Sequence, residues 1–172
     1  MDKLQKKLII VNGTMGVGKT TICRRLHKKI ERCLWLDGDW CWMMNPWMIT
    51  EENKKMVEDN ITHLLRNFLT NSSFDYVIFS WVIHREDIFN FILSPLRDLE
   101  FGLIKVTLTC SEKILRSRIL KDKYYNPNET RFERATQRLK LYGSLNTIKI
   151  DTTNLTVEES ANQVLKLIGY CD

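Results

Sequence analysis

The residues best suited to chemistry lie between positions 8 and 20, where an apolar run leads directly into the pattern G-x-x-x-x-G-K-T. The glycines let the backbone turn sharply and direct its N–H groups inward, so that a polyphosphate can lie on the N-terminus of the following helix. We expect the Lys19 ammonium to reach the β- and γ-phosphates and the Thr20 hydroxyl to hold Mg²⁺. The segment therefore predicts binding of ATP or GTP. The predicted nucleotide-binding residues in it are Gly13, Thr14, Met15, Gly16, Val17, Gly18, Lys19, Thr20 and Thr21.

Two carboxylates follow the next apolar run, in the sequence Asp37-Gly38-Asp39. At a strand end that faces a magnesium nucleotide, Asp37 suits a metal-bound water, and Asp39 suits the proton of an attacking hydroxyl. We expect Gly38 to permit the tight turn between them. The alternative is a surface turn or a helix N-cap, in which this tripeptide is common. Position favours the functional interpretation, because the tripeptide lies one predicted helix and one predicted strand after the glycine-rich loop.

Tryptophans and basic residues surround the place where a phosphoryl acceptor would bind. Four of the five tryptophans follow the second and third predicted strands, namely Trp40, Trp42, Trp47 and Trp81. They form either a flat wall that stacks on the acceptor or part of the hydrophobic core. Trp40, Trp81 and Arg85 are the predicted acceptor contacts here, Arg85 for an anionic acceptor. The third predicted strand ends in Ser80 and lacks the aspartate by which motor ATPases and GTPases hold magnesium, which favours a kinase.

Strands and helices alternate along the chain. The predicted strands cover residues 8–12, 33–36, 75–80, 103–109 and 147–151, and the predicted helices cover about 19–32, 50–71, 85–99, 111–121, 129–142 and 156–168. This alternation, together with the glycine-rich loop after the first strand, predicts an α/β fold of three layers with a five-stranded parallel sheet and helices on both faces. Its ligand crevice is expected at the carboxyl ends of the strands.

Length and composition are typical of one globular domain. The 172 residues are 44% hydrophobic and 27% charged, with a net charge of +5, and a chain of this length buries about two thirds of its unfolded surface. The five cysteines are widely spaced and are expected to be free thiols. We expect no membrane-spanning segment and no signal peptide, and hence a cytoplasmic protein. The basic residues are dispersed, which suits a phosphate-rich small ligand at least as well as nucleic acid.

The glycine-rich loop and the run Leu36-Asp37-Gly38-Asp39 resemble the small P-loop kinases of the shikimate, gluconate and adenylylsulfate kinase group, which have a nucleoside-monophosphate-kinase-like fold. The resemblance covers nearly the whole chain and implies the P-loop NTPase fold. It implies that Asp37 serves the metal together with Thr20, and that Asp39 serves the acceptor hydroxyl. Neither the shikimate-binding pattern nor the His-Pro of gluconate kinases is present, since Asn45-Pro46 stands here. The resemblance therefore does not imply that shikimate or gluconate is the acceptor of this protein.

The same resemblance implies a lid, at about residues 119–136, and an arginine that stacks on adenine and reaches phosphate. Arg118 is the first choice for this catalytic arginine and Arg116 the second. Within the lid, Arg131, Arg134 and Arg138 share one helical face, and any of them is suited to cover the transferring phosphoryl group; Arg134 is assigned to the substrate side. The loop after the last strand, with Asp151, Thr152 and Thr153, is implied to contact adenine.

Three functions fit these observations. The first is ATP-dependent and Mg²⁺-dependent phosphorylation of a hydroxyl on a sugar-like, nucleoside-like or antibiotic small molecule. The second is a polynucleotide 5′-hydroxyl kinase, in which tryptophans stack on bases and basic residues follow the strand. The third is a nucleotide-binding regulatory or resistance protein without turnover, which would have no need of Asp39. A monomer or a homodimer is expected.

Overall fold

A computed structural model describes residues 5–121 and 131–170. In these residues strands and helices alternate as predicted. The strands are β1 Lys7–Asn12, β2 Cys33–Asp37, β3 Tyr76–Trp81, β4 Gly102–Thr109 and β5 Ile148–Asp151. The α-helices are α1 Lys19–Lys29, α2 Glu51–Thr70, α3 Glu86–Leu93, α4 Glu112–Leu120, α5 Arg131–Leu141 and α6 Val157–Leu167, and short 3₁₀ segments cover Gly38–Trp42, Ser94–Leu96 and Tyr142–Ser144.

The described strands form one five-stranded parallel sheet in the order β2-β3-β1-β4-β5. The central strand β1 is apolar along its length because both of its faces are buried. Its side chains alternate between two cores: Ile9 and Val11 pack on the side of α1 and α6, and Leu8 and Ile10 on the side of α2 and α3. The predicted α/β class, with a parallel sheet covered on both faces, is therefore confirmed.

Local signals in the sequence explain most helix ends. The Thr50 side chain accepts a hydrogen bond from the Asn53 N–H at the start of α2, and Thr156 and Glu159 form a reciprocal capping box at α6. Two predicted helices end earlier than expected. The first stops at Lys29 because Ile30 is already extended. The third stops at Leu93, and a 3₁₀ turn with Pro95 follows.

The sheet places the carboxyl ends of all five strands along one edge, and the first turns of α1 and the 3₁₀ segment after β2 begin there. Of the predicted lid, residues 122–130 lie outside the described residues, whereas the flanking helices α4 and α5 are described. In the described residues, each cysteine is a free thiol. No helix there combines the length and the apolar character needed to cross a bilayer.

Candidate active site

The glycine-rich loop is shaped by close neighbours as well as by its turn. Gly13 and Gly16 have φ of 147° and 81°, which L side chains rarely adopt. A Cβ at Gly13 would lie 2.7 Å from the Leu108 carbonyl oxygen, and one at Gly16 would lie 2.6 Å from Ile119 Cγ1. The loop is thus enclosed by β4 on one side and by α4 on the other. Side chains at these two positions would displace the backbone N–H groups that a phosphate needs.

Lys19 folds back over this loop. Its ammonium donates to the carbonyl oxygens of Gly13 at 3.0 Å and Thr14 at 3.2 Å. Burial lowers the pKa of Lys19, and the carboxylates of Asp39 and Asp37 oppose that shift. The ammonium is therefore positioned between the loop and the acidic pair, as a group that neutralises phosphate must be.

Asp37 joins the second strand to the first helix. One of its carboxylate oxygens accepts the Asp39 N–H at 3.1 Å, and the other accepts the Thr20 hydroxyl at 3.3 Å. The sequence-predicted magnesium pair is thus in direct contact. Mg²⁺ commonly takes one or two protein oxygens and fills its other positions with water and phosphate. The two oxygens of this pair are therefore of the type and number that Mg²⁺ takes from a protein. Among the described residues there is no cluster of three or more acidic, histidine or cysteine side chains suited to a metal.

Asp39 faces the same region from the start of the 3₁₀ segment. Desolvation by its surroundings and the neighbouring Asp37 carboxylate raise the pKa of Asp39, while the Lys19 ammonium and the Trp81 indole lower it. Lys19 is thus within electrostatic reach of the Asp39 carboxylate, and Trp81 packs on the neighbouring Gly38. A carboxylate opposite the lysine of a phosphate loop can accept a proton from a hydroxyl that attacks there.

Gly38 is required by packing and not by a turn. Its φ lies outside the left-handed region, but a Cβ there would lie 2.6 Å from Cγ and 2.7 Å from Cδ1 of Trp81. The indole therefore packs directly on the backbone between the two aspartates. The chain does turn at Gly38, where Asp37 accepts the Asp39 N–H, but the proximity of the Trp81 ring is what requires a glycine there.

We predict that Gly38→Ala displaces the Trp81 indole and reorients Asp39. Misplacement of a reacting group by about 1 Å commonly costs roughly 100-fold in rate, so a loss of that order in kcat is expected, together with a change in the near-ultraviolet circular dichroism. Gly143→Ala is the matched control, because a Cβ at Gly143 meets nothing within 4 Å. Equal effects of the two substitutions would contradict this account.

The tryptophans do not form one wall. Trp40 is half exposed and its ring leans on Trp35, 5.0 Å away between centroids. The Trp35 indole N–H donates to Ser80 Oγ at 3.0 Å, and its ring packs on the α1 side of the sheet. Trp81 and Trp42 pack on the opposite side. The structure therefore brings Trp81 to Asp39 and leaves Trp40 at the outer flank of β2.

The basic residues after β3 differ in their surroundings. The guanidinium of Arg85 is exposed and pairs with the Asp87 carboxylate at 2.9 Å. His84 is half-buried and its Nδ1 has no hydrogen-bond partner in the described residues. Burial lowers the pKa of His84, and the charges of Arg138 and Arg85 lower it further.

The two arginines of α4 have separate contacts. Arg118 donates to the Val17 carbonyl at 2.9 Å and to the hydroxyl and carbonyl of Thr152 at 2.9 and 2.8 Å. It thereby ties the loop after β5 to the phosphate loop, and its catalytic role stays a prediction. Arg116 lies 5.2 Å from the ring centroid of Phe132 and so links α4 to α5.

Helix α5 crosses the phosphate loop. The buried Thr14 hydroxyl donates to the Ala135 carbonyl at 2.8 Å, so this side chain holds the lid helix and only its backbone is left for phosphate. Arg138 follows Ala135 by three residues and shares its helical face. Its charge lowers the pKa of Lys19, whereas Arg134 is exposed. The sequence predicts Arg138 as one of three candidate arginines on this helix and does not choose among them. The three-residue spacing between Ala135 and Arg138 can be read from the sequence, but the contact of Ala135 with the phosphate loop cannot.

Residues 9–139 match the model of a family described as an AAA domain. Among curated proteins, none matches this sequence. Similar solved structures include the tunicamycin resistance protein of Deinococcus radiodurans, with 19% identity, coverage of 97% of this chain and 98% of that chain, and a TM-score of 0.70. A sugar kinase from a Janibacter species has 12% identity, 96% coverage of both chains and a TM-score of 0.71. The shikimate kinase of Acinetobacter baumannii has 22% identity, coverage of 96% and 94%, and a TM-score of 0.65.

Proposed function

Since this chain belongs to the AAA domain family and has the fold of the small P-loop kinases, we propose that it transfers the γ-phosphoryl group of ATP to a hydroxyl of a small molecule. The neighbouring structures support a kinase-type phosphotransferase. The observation that carries the proposal is the convergence of Lys19, the Thr20–Asp37 pair and Asp39 at one edge of the sheet.

In the proposed reaction, loop N–H groups and the Lys19 ammonium bind the phosphates and neutralise their charge. Thr20 and Asp37 would hold Mg²⁺, which would supply positive charge against the negative charge that develops on the phosphates. Asp39 orients the acceptor hydroxyl and takes its proton as the oxygen bonds to the γ-phosphorus. The bond to the β-phosphate oxygen breaks, so that ADP leaves.

Arg138 is the proposed lid arginine for the transferring phosphoryl group. It lies on the face of α5 that crosses the phosphate loop, one turn after the Thr14–Ala135 hydrogen bond. Its charge acts on both Lys19 and His84. A cation at this position is suited to stabilise charge on the equatorial oxygens of the phosphoryl group.

The position of the Arg138 charge is testable without an acceptor. We predict that Arg138→Gln raises the pKa of His84, because a like charge that disfavours the imidazolium is removed. An NMR titration of the histidine ring resonances measures this shift. Arg134→Gln, one turn earlier on the same helix, is the control and is expected to leave the His84 pKa unchanged. If only Arg134→Gln shifts the His84 pKa, the charge that acts on His84 belongs to Arg134, and the assignment to Arg138 is wrong.

The proposed function is tested by acceptor-dependent release of ADP. Purified protein with ATP and Mg²⁺ is supplied with sugars, gluconate, shikimate, nucleosides, tunicamycin and short oligonucleotides, and the phosphorylated product is identified by mass spectrometry. We expect stoichiometric ADP and phosphorylated product with one class of small molecule. Turnover of oligonucleotides, with affinity that falls steeply as salt rises, would indicate a polynucleotide kinase instead. Binding of ATP without turnover of any acceptor would contradict the proposal.

A further inference from the structure

Asn12 connects three elements at the point where the central strand becomes the phosphate loop. The residue is fully buried. Its side-chain oxygen accepts the Gly13 N–H at 2.7 Å and the Ile83 N–H at 2.8 Å. Its side-chain nitrogen donates to Thr107 Oγ1 at 3.3 Å. One carboxamide thus joins the phosphate loop, the segment after β3, and β4.

The sheet register explains why a side chain is needed here. Asn12 lies opposite Trp81 on β3 and opposite Thr107 on β4, and it is the last residue of β1. Beyond it the chain leaves the sheet to form the loop, so β1 offers no further carbonyl to the segment after β3. The N–H groups of Gly13 and Ile83 are in buried residues, where an unpaired donor is costly. The Asn12 oxygen supplies both of them.

The segment of residues 81–84, which we name the acceptor wall after the predicted acceptor contact Trp81, connects the surroundings of Asp39 with those of Arg138. At its start Trp81 packs on Gly38 and lies next to the Asp39 carboxylate. At its end His84 lies within electrostatic reach of Arg138. A displacement of this segment would therefore move both the support of Asp39 and the surface that the acceptor meets.

We propose that Asn12 is a positioning residue for phosphoryl transfer, which fixes the acceptor wall relative to the phosphate loop. This inference rests on the proposed function and adds a residue to it. Asn12 acts through Trp81 and His84 and touches neither reacting group. Its loss leaves the nucleotide site largely formed, because the remaining loop contacts with α4 and α5 persist. The effect falls on alignment between the acceptor and the γ-phosphate.

Three substitutions separate the contacts. Asn12→Leu keeps the approximate size and removes all three hydrogen bonds. Asn12→Asp keeps oxygen acceptors for both backbone N–H groups. Thr107→Val is the matched control: it removes the third contact and leaves both backbone N–H contacts of Asn12 in place, and it also removes the hydrogen bond of 2.6 Å between the Thr107 and Thr147 hydroxyls. For each variant, kcat, the acceptor KM at saturating ATP and the dissociation constant of ADP are measured, together with hydrogen exchange at the Ile83 amide by NMR.

For Asn12→Leu we expect faster exchange at Ile83, a fall of roughly 100-fold in kcat and a raised acceptor KM, with a much smaller change in ADP affinity. Asn12→Asp is expected to restore the protection of Ile83 and most of the acceptor KM. Thr107→Val is expected to resemble the wild type in both respects. If Asn12→Leu does not fold, Asn12→Ser carries the same expectations at the Ile83 amide and in the acceptor KM.

Two results would overturn the inference. One is wild-type kcat and acceptor KM in a folded Asn12→Leu or Asn12→Ser protein. The other is an equal loss in Thr107→Val, which would show that the network supports stability alone. Failure of the proposed function is distinguishable from these results, because it is the absence of any turned-over acceptor in the wild type. In that case the rate of hydrogen exchange at the Ile83 amide still decides whether Asn12 holds the segment after β3 against the phosphate loop.

Discussion

Replacing Lys19 with alanine is expected to reduce phosphoryl transfer by roughly a thousandfold or more, the scale of losing a preorganised charge in such sites. The ammonium lies over the loop, within 3.0 Å of the Gly13 carbonyl and 3.2 Å of the Thr14 carbonyl, and its charge lowers the pKa of Asp39. Without it, charge that develops on the β- and γ-phosphates is left to backbone dipoles and the metal. Steady-state kinetics with the acceptor found in the screen, together with calorimetry of ATP binding, measure the loss.

Two further variants show whether the Lys19 effect is specific. Lys19→Met keeps most of the side-chain length without the charge, and it is expected to be nearly as inactive as Lys19→Ala. Lys28→Ala changes an exposed lysine of the same helix and is expected to retain wild-type turnover. A Lys19→Met protein with undiminished turnover would refute the assignment of this side chain to the phosphates.

The parts of the site that the sequence predicts are those built from short, local patterns. The spacing of the glycines, Lys19 and Thr20 indicates a phosphate loop because the turn that directs the backbone N–H groups inward is built from consecutive residues. The contact between Thr20 and Asp37 follows from topology, since the carboxyl ends of all strands of a parallel sheet lie at one edge. That contact spans 17 residues and is present at 3.3 Å. The parallel sheet was predictable for the same reason, from continuous apolar strands.

The parts that the sequence does not predict depend on which side chain meets which neighbour over long separations. Asn12 looks like an ordinary strand end, and its role becomes visible only when Ile83, 71 residues away, places an N–H beside it. The need for glycine at position 38 comes from the Trp81 ring. Helical spacing alone cannot choose between the lid arginines, because the choice depends on which face of α5 packs on the loop. The hydrogen bond from the Thr14 hydroxyl to the Ala135 carbonyl identifies the face of α5 that packs on the loop.

Asp39→Asn is expected to reduce kcat by roughly 100-fold to 10,000-fold, the range typical of a lost general base. The amide is nearly isosteric with the carboxylate, and the Asp37 hydrogen bond to the backbone N–H of residue 39 remains. Binding of ATP and Mg²⁺ should therefore change little, because the metal pair is Thr20 and Asp37. The measurement is kcat at saturating ATP, with the affinity for the nucleotide determined separately by calorimetry.

The two aspartates are distinguished by the kind of defect each one causes. Asp37→Asn weakens the magnesium pair, so we expect a higher Mg²⁺ concentration for half-maximal activity and partial recovery when Mg²⁺ is raised. Asp39→Asn should show no such recovery, because its defect lies in accepting the hydroxyl proton. Asp59→Asn, on the exposed side of α2, is the control for loss of an acidic group. Rescue of Asp39→Asn by added Mg²⁺ would reassign Asp39 to the metal and leave the acceptor hydroxyl without a base.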